Sequence, residues 1–384
     1  MRAVAAAHDA AEPARPASPW LFGAGTDVAV FGGPAALALA LTALAPRLAP
    51  GGELPGWAWL AFVLAVDVAH VHTTLFRTYF DPVELRRHKR RYALVPVACW
   101  AAGALLHAAG EGVFWRALAY VAVFHFVRQQ VGWVLVYRAR AGERDRLGRA
   151  LDAAVVYAAT LYPLAYWHAH LPRAFRWFMD GDFVDARVLA PIVPVLAAAE
   201  AALLALYAAR AVAAALRGGR PNWGKHLVVA TTAVTWYVGI VATDSDFSFT
   251  VCNVLVHGVP YMALLWAYAR ARGAETDARG SLVARVASLG VVAFLGAALA
   301  FAYVEELAWD RLVWHEAPPW FGGVARDTPL LGPVLRSLVV PLLAVPQATH
   351  YALDAVLWRR GDAGRAQAAA LGFEAARPRS AAAA

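Results

Sequence analysis

Apolar stretches of about 20 residues recur along this chain from near residue 27 to near residue 358, and that recurrence limits the fold more than any other feature. About 20 helical residues, at ~1.5 Å each, match a hydrocarbon layer ~30 Å thick. Inside such a layer each backbone N–H and C=O must be paired within its own segment, so a helix is the form these stretches take. Residues 27–46, 57–77, 92–110, 114–137 and 150–169 satisfy the length in the first half, and 188–214, 226–243, 248–269, 282–304 and 333–358 in the second. The expected fold is an all-α integral membrane protein, a polytopic bundle of about ten transmembrane helices. Composition agrees: 60% of residues are hydrophobic and 16% charged, against the roughly 25% charged of a soluble domain. Three segments follow: a disordered leader over 1–25, one helical domain over 26–358, and an unstructured tail over 359–384.

Orientation is read from the connecting charges, because Lys and Arg are retained on the cytoplasmic side. Arg86, Arg87, Lys89, Arg90 and Arg91 follow the second stretch, and Arg138, Arg140, Arg144, Arg146 and Arg149 follow the fourth. Arg217, Arg220 and Lys225 follow the sixth, Arg270, Arg272 and Arg279 the eighth, and Arg359 and Arg360 the tenth. Every even span therefore runs inward, and both termini are expected in the cytoplasm. The aromatic and acidic stretches 173–183 and 305–320 fall on the outer side. A net charge of +8 would suit nucleic acid, but its basic residues sit in these short clusters, so no nucleic-acid partner is expected. Cys99 and Cys252 lie inside apolar runs and support neither a disulfide framework nor a thiolate metal site. The first residues lack the basic and apolar regions of a cleaved signal. A cell membrane, bacterial and inner, is the expected location.

Ionisable side chains within these spans stand out, since each costs at least about 2.5–3.5 kcal/mol to insert at a helix centre. The second span carries Asp67, His70 and His72; the fourth His125, Arg128, Gln129 and Gln130; the eighth Asn253 and His257; the tenth Gln347, His350 and Asp354. All four run in one direction, so depth can be compared by counting from the outer end. His125 and His257 fall near the middle, with His70 and His350 somewhat deeper. One imidazole from each of four helices at similar depth is what a metal site in a bundle core requires, because imidazole serves zinc, iron, copper and haem centres alike. His70, His125, His257 and His350 are therefore the candidate metal ligands. Residues two apart lie about 200° round a helix, so His72 cannot share an ion with His70 and is expected to face another helix. Asp67 and Asp354, each one turn from a candidate ligand, can fix an imidazole tautomer or complete the ligand set. Arg128 and Gln129 can pair with Asp354 or Asp67, position oxygen, or hold a substrate's anionic group. These four are the candidate catalytic residues. Against all this stands the plainer alternative that histidines in membrane bundles join helices by hydrogen bonds, worth about 0.6–2 kcal/mol.

A second group, His107, Trp167, His168, His170, Asp180, Asp182, Glu305, Glu306, Asp310 and His315, gathers at the outer side and suggests either a divalent-metal site or a substrate mouth. Interfacial aromatic and acidic residues also occur there without function. The histidine-box patterns HxxxH and HxxHH, a GxxxxGK(S/T) phosphate loop, CxxCH and HExxH are all absent. By class, the pattern is analogous to polytopic membrane enzymes that hold non-haem iron with one histidine per helix.

Three functions follow as expectations. The first is a metal-dependent oxidoreductase, of oxygenase, desaturase or carotenoid-cleavage type, using iron, with haem, copper or zinc as alternatives, on a lipophilic substrate entering from the bilayer. The second is a transporter or proton-coupled permease using the same residues, for which Pro260 and Pro346 would break helices beside the site. The third is a structural membrane protein with no ligand.

Overall fold

The computed structural model describes residues 18–316, 318–325, 330–358 and 365–372, and every regular element among them is a helix. In chain order these are α1 (Ala24–Leu48), α2 (Gly56–Arg77), α3 (Pro82–Arg87), α4 (Lys89–Ala109) and α5 (Glu111–Arg140). Next come α6 (Arg146–Ala169), α7 (Arg187–Leu216), α8 (Trp223–Ala242) and α9 (Asp246–Gly273). The chain continues with α10 (Leu282–Leu289), α11 (Val291–Trp314), α12 (Pro333–Leu343), α13 (Val345–Leu357) and α14 (Arg365–Ala370). Seven of them, α1, α2, α4, α7, α8, α9 and α11, are long and apolar enough to cross a membrane. That is compatible with a multi-pass membrane protein. Helices α5 and α6 match them in length at 30 and 24 residues but are interrupted by charge.

Helix α9 is the axis of the bundle: 83% of its most apolar window is buried, against 11% for α7, which lies at the rim. Its neighbours include α1, α2, α5 and α8. Gly258 explains how α2 comes so close. A Cβ built there would lie 2.7 Å from Val66 Cγ1 and 3.3 Å from the Val66 carbonyl oxygen, so only hydrogen fits between the two backbones.

Several segments differ from the sequence expectation, each for a local reason. The stretch 282–304 divides at Gly290, whose φ of 95° ends the short helix α10 and lets α11 begin afresh. The tenth stretch, 333–358, divides at Ala344 into α12 and α13, with Pro346 in the first turn of α13, a position that needs no amide hydrogen. Pro260, by contrast, breaks nothing: α9 runs unbroken through it. A proline at 260 removes the amide that would bond the Val256 carbonyl, and Gln130 Nε2 of α5 donates to that carbonyl instead, at 3.4 Å. Within α2 ten residues, Trp59–Val68, are wound as a π-helix, a form that gathers at functional sites. The leader up to residue 17, and residues 359–364 and 373–384 of the tail, lie outside the described residues. Ser18 onward is ordered around Asp27, which accepts the amides of Leu21 and Phe22. Residues 365–372, read from sequence as part of an unstructured tail, contain α14, which packs Ala366, Ala370 and Leu371 into the same apolar cluster as Leu264, Leu265 and Tyr268 of α9. Its Gln367 accepts a hydrogen bond from Arg77 at 2.8 Å.

Candidate metal site

The four candidate ligands come from four helices: His70 from α2 where its π-helical winding has just ended, His125 from mid-α5, His257 from α9 and His350 from α13. All are buried, His257 completely. One ring nitrogen from each lies within 4.8 Å of those of the other three. His70 and His257 approach Nε2 to Nε2 at 3.1 Å, and His125 and His350 at 3.2 Å. Ring-centroid distances of 4.7, 5.0, 4.8 and 5.0 Å close a cycle His70, His257, His125, His350, each ring steeply inclined to the next. Metal–nitrogen bonds of ~2.0–2.1 Å set neighbouring ligand nitrogens ~3 Å apart, which is the spacing of the two close pairs.

The opposite ring nitrogens carry the orientation. His70 Nδ1 donates to the Val66 carbonyl at 3.3 Å, with Asp67 Oδ1 at 3.7 Å. A neutral ring that donates from Nδ1 keeps its Nε2 lone pair free. His350 Nδ1 lies 2.8 Å from the Thr74 hydroxyl, which is itself 3.2 Å from the Tyr261 hydroxyl. His125 Nδ1 lies 3.8 Å from Asp354 Oδ2. His257 Nδ1 is buried with no partner among the described residues, and its ring is held by stacking on Phe126 at 3.5 Å and 10°. The set can hold a metal: four imidazole nitrogens converge, and two carboxylates stand behind them to offset the charge of a divalent ion.

The other sequence candidates separate. His72 turns away and meets Glu305 of α11 at 2.8 Å, facing another helix as its offset from His70 requires. Asp67 stands behind His70, as its one-turn spacing implies. Asp354 does not serve His350 of its own helix; it lies behind His125 and accepts from Trp358 Nε1 at 2.7 Å. Arg128 pairs with neither aspartate but donates to the Tyr157 hydroxyl at 2.6 Å. Gln129 is buried, and neither end of its amide has a partner among the described residues. A cavity of about 730 Å³ runs beside the site, with His125, Arg128, Gln129, Tyr157, Tyr351 and Asp354 in its walls.

The second group does not assemble. His107 meets Ser337, His168 meets Tyr120, His170 bonds the Tyr166 carbonyl of its own helix, and His315 accepts the Leu330 amide. Asp180 pairs with Arg176, and Asp182 accepts the amides of Trp177 and Phe178 at 2.9 and 2.7 Å, folding the loop after α6. Among the described residues, the only histidine, cysteine and carboxylate group close enough for one ion is the tetrad. The loop has another use. It lowers Phe175, Trp177 and Phe183 onto the bundle, and Trp177 packs on Phe126 at 4.9 Å, so an aromatic plug covers the His257 side. Sequence reasoning missed Thr74, Tyr261 and Phe126. A threonine one turn past His70 was the only available signal for Thr74; the two rings are ordinary aromatic residues of apolar helices.

Comparison with protein-family models, with curated proteins and with solved structures finds no match for this chain.

Proposed function

We propose that this chain is an integral-membrane, metal-dependent oxidoreductase acting on a lipophilic substrate, with the ion held by His70, His125, His257 and His350. The observation that carries the reading is the meeting of four buried imidazoles from four helices beside a cavity that shares His125 as a wall. The two Nε2 pairs, at 3.1 and 3.2 Å, are as close as a hydrogen bond between helices or a shared ion would bring them, and the convergence of both pairs beside the cavity favours the ion.

Ten crossings with both termini in the cytoplasm are the topology we adopt. The seven apolar helices are joined by α5, by α6 and by the pair α12 and α13, and the Arg and Lys clusters at 86–91, 138–149, 217–225 and 270–279 support the orientation. The membrane lipid is then the surrounding solvent and the source of the substrate.

Non-haem iron is the ion we favour. Nitrogens within 4.8 Å of one another leave room for a bare ion and not for a porphyrin ring. Four imidazoles, with the carboxylates of Asp67 and Asp354 behind them, would suit a divalent redox-active ion. A redox-active ion held there would supply one-electron and oxygen chemistry. The chain's own parts do the rest. Asp67, Thr74 and Asp354 orient imidazoles, Phe126 and the plug exclude water from one side, and Arg128 and Gln129 face the cavity, where a substrate would be positioned.

The test is metal analysis of protein purified in detergent, paired with mass spectrometry of lipids incubated with it, dioxygen and a reductant. About one iron per chain and an oxidised lipid, both absent from H257A, are expected. No stoichiometric metal, or zinc alone, overturns the reading.

A further inference from the structure

From Arg128 we infer the substrate class: a single-chain amphiphile with a carboxylate head, of the long-chain fatty-acid type. This deepens the proposed function and rests on it for its chemical purpose, though not for its binding.

Arg128 lies near the middle of α5, the level at which a guanidinium is costliest to place. It is exposed, it lines the cavity, and no carboxylate among the described residues forms an ion pair with it. Its hydrogen-bond partner is neutral: Nη1 donates to the Tyr157 hydroxyl. That contact orders the pair without offsetting the charge. It also leaves the Tyr157 O–H and the remaining guanidinium N–H groups as donors on one side of the cavity, an arrangement that suits an acceptor-only anion. A carboxylate matches best, being planar for the guanidinium fork and carrying the single charge needed for neutrality. A phosphate with two charges would leave one unmatched in the apolar layer. Gln129, buried with both ends of its amide unpartnered, adds a second polar contact in the same wall.

The route of the chain is equally marked. Phe124 and Val121 stand about one and two turns along α5 from Arg128 on the same face, both line the cavity, and both are exposed, at 64% and 48%. A tail leaving the Arg128 head along them would pass directly beside His125 and out into the bilayer. His125 is three residues from Arg128, ~4.5 Å along the helix axis, so the carbons nearest the carboxyl are the ones brought to the tetrad.

The experiment is equilibrium binding of radiolabelled palmitate to the full chain in nanodiscs, with palmitate, methyl palmitate and palmitoyl lysophosphatidate as competitors, and with metal content measured on the same samples. Saturable binding near one per chain is expected, with both the ester and the phosphate competing roughly tenfold or more weakly than palmitate. R128Q should lose roughly tenfold or more in palmitate affinity and R128K less, with methyl palmitate affinity and metal content unchanged in both. Equal competition by the ester, tighter binding of the lysophosphatidate, or full palmitate affinity in R128Q overturns the inference. Should R128Q fail to fold, the competition series on the unaltered chain decides. Metal without palmitate binding defeats this inference and leaves the proposed function standing; palmitate binding without metal does the reverse.

Discussion

Two of the buried polar clusters in this bundle are built on opposite principles. At one end Arg138 donates to Asp152 at 2.6 Å, to Glu143 at 3.0 Å and to Asp145 at 2.8 Å. Lys225 donates to the same Glu143 and Asp152 at 2.6 and 3.0 Å, and Asn222 donates to Glu143. Each cation there faces an anion, and the set is closed. The tetrad brings together four groups of one kind, with its carboxylates placed behind the rings rather than between them. The closed cluster ties α5, α6 and α8 together and needs nothing more. The tetrad turns four ring nitrogens inward with no carboxylate between them, and the proposed metal site rests on that difference.

The contrast can be broken most decisively at His257. H257A should remove bound metal altogether while the protein still purifies as a folded species, because the side chain makes no tie to the closed cluster; full metal retention in elemental analysis would put the tetrad in the same category as Arg138. The converse change, D152A, should leave metal in whatever fraction folds but lower stability by about 3–5 kcal/mol, since Arg138 and Lys225 lose a shared buried anion. Thermal unfolding in detergent reads this directly. D354N is expected to weaken metal affinity about 10–100-fold without unfolding the chain, in a chelator competition titration. G258A should cost about 1–3 kcal/mol by wedging α2 from α9 and should weaken the ion as well, since the wedge falls between His70 and His257. If it lowers stability alone, the tetrad is less sensitive to helix spacing than its geometry implies. The smallest effect belongs to Asp145, whose hydrogen bond from Arg138 holds its carboxyl down to about 2. It is half-exposed, so D145N should cost under ~1 kcal/mol. Because the folded value is the lower one, that contribution is complete above an ordinary aspartate's ~3.9 and fades as pH falls toward about 2. Unfolding curves of D145N and the unaltered chain should therefore converge across that window.

How much of this was legible beforehand follows from what each feature depends on. The apolar helices are set by local composition, and their ends were read to within a few residues over most of the chain. The depth of the four histidines is a count along each helix, and it too was available. Their convergence was not, because it depends on how each helix is rotated, and the π-helical winding of Trp59–Val68 changes that rotation just before His70. The prolines were the least readable. Pro346 sits where α13 starts, whereas Pro260 sits inside α9, and the difference lies in a side chain on another helix. Likewise Asp354 was matched by spacing to His350, although its contact is with His125 across the interface. The outer group looked like one cluster because its members share a depth; His107, His168, His315 and Asp180 in fact settle with different neighbours, which their common depth does not encode.

The bond from Gln130 to the Val256 carbonyl also bears on inheritance. Gln130 Oε1 accepts from Thr232 on α8, so its amide is held at both ends and its Nε2 is committed to the carbonyl that Pro260 leaves open. Were residue 260 to regain an amide, the carbonyl would close on its own helix and the glutamine would lose one of its two anchors. Among descendants of this bundle the two positions are thus expected to be replaced in the same lineages, 130 residues apart in the chain yet changing as one character.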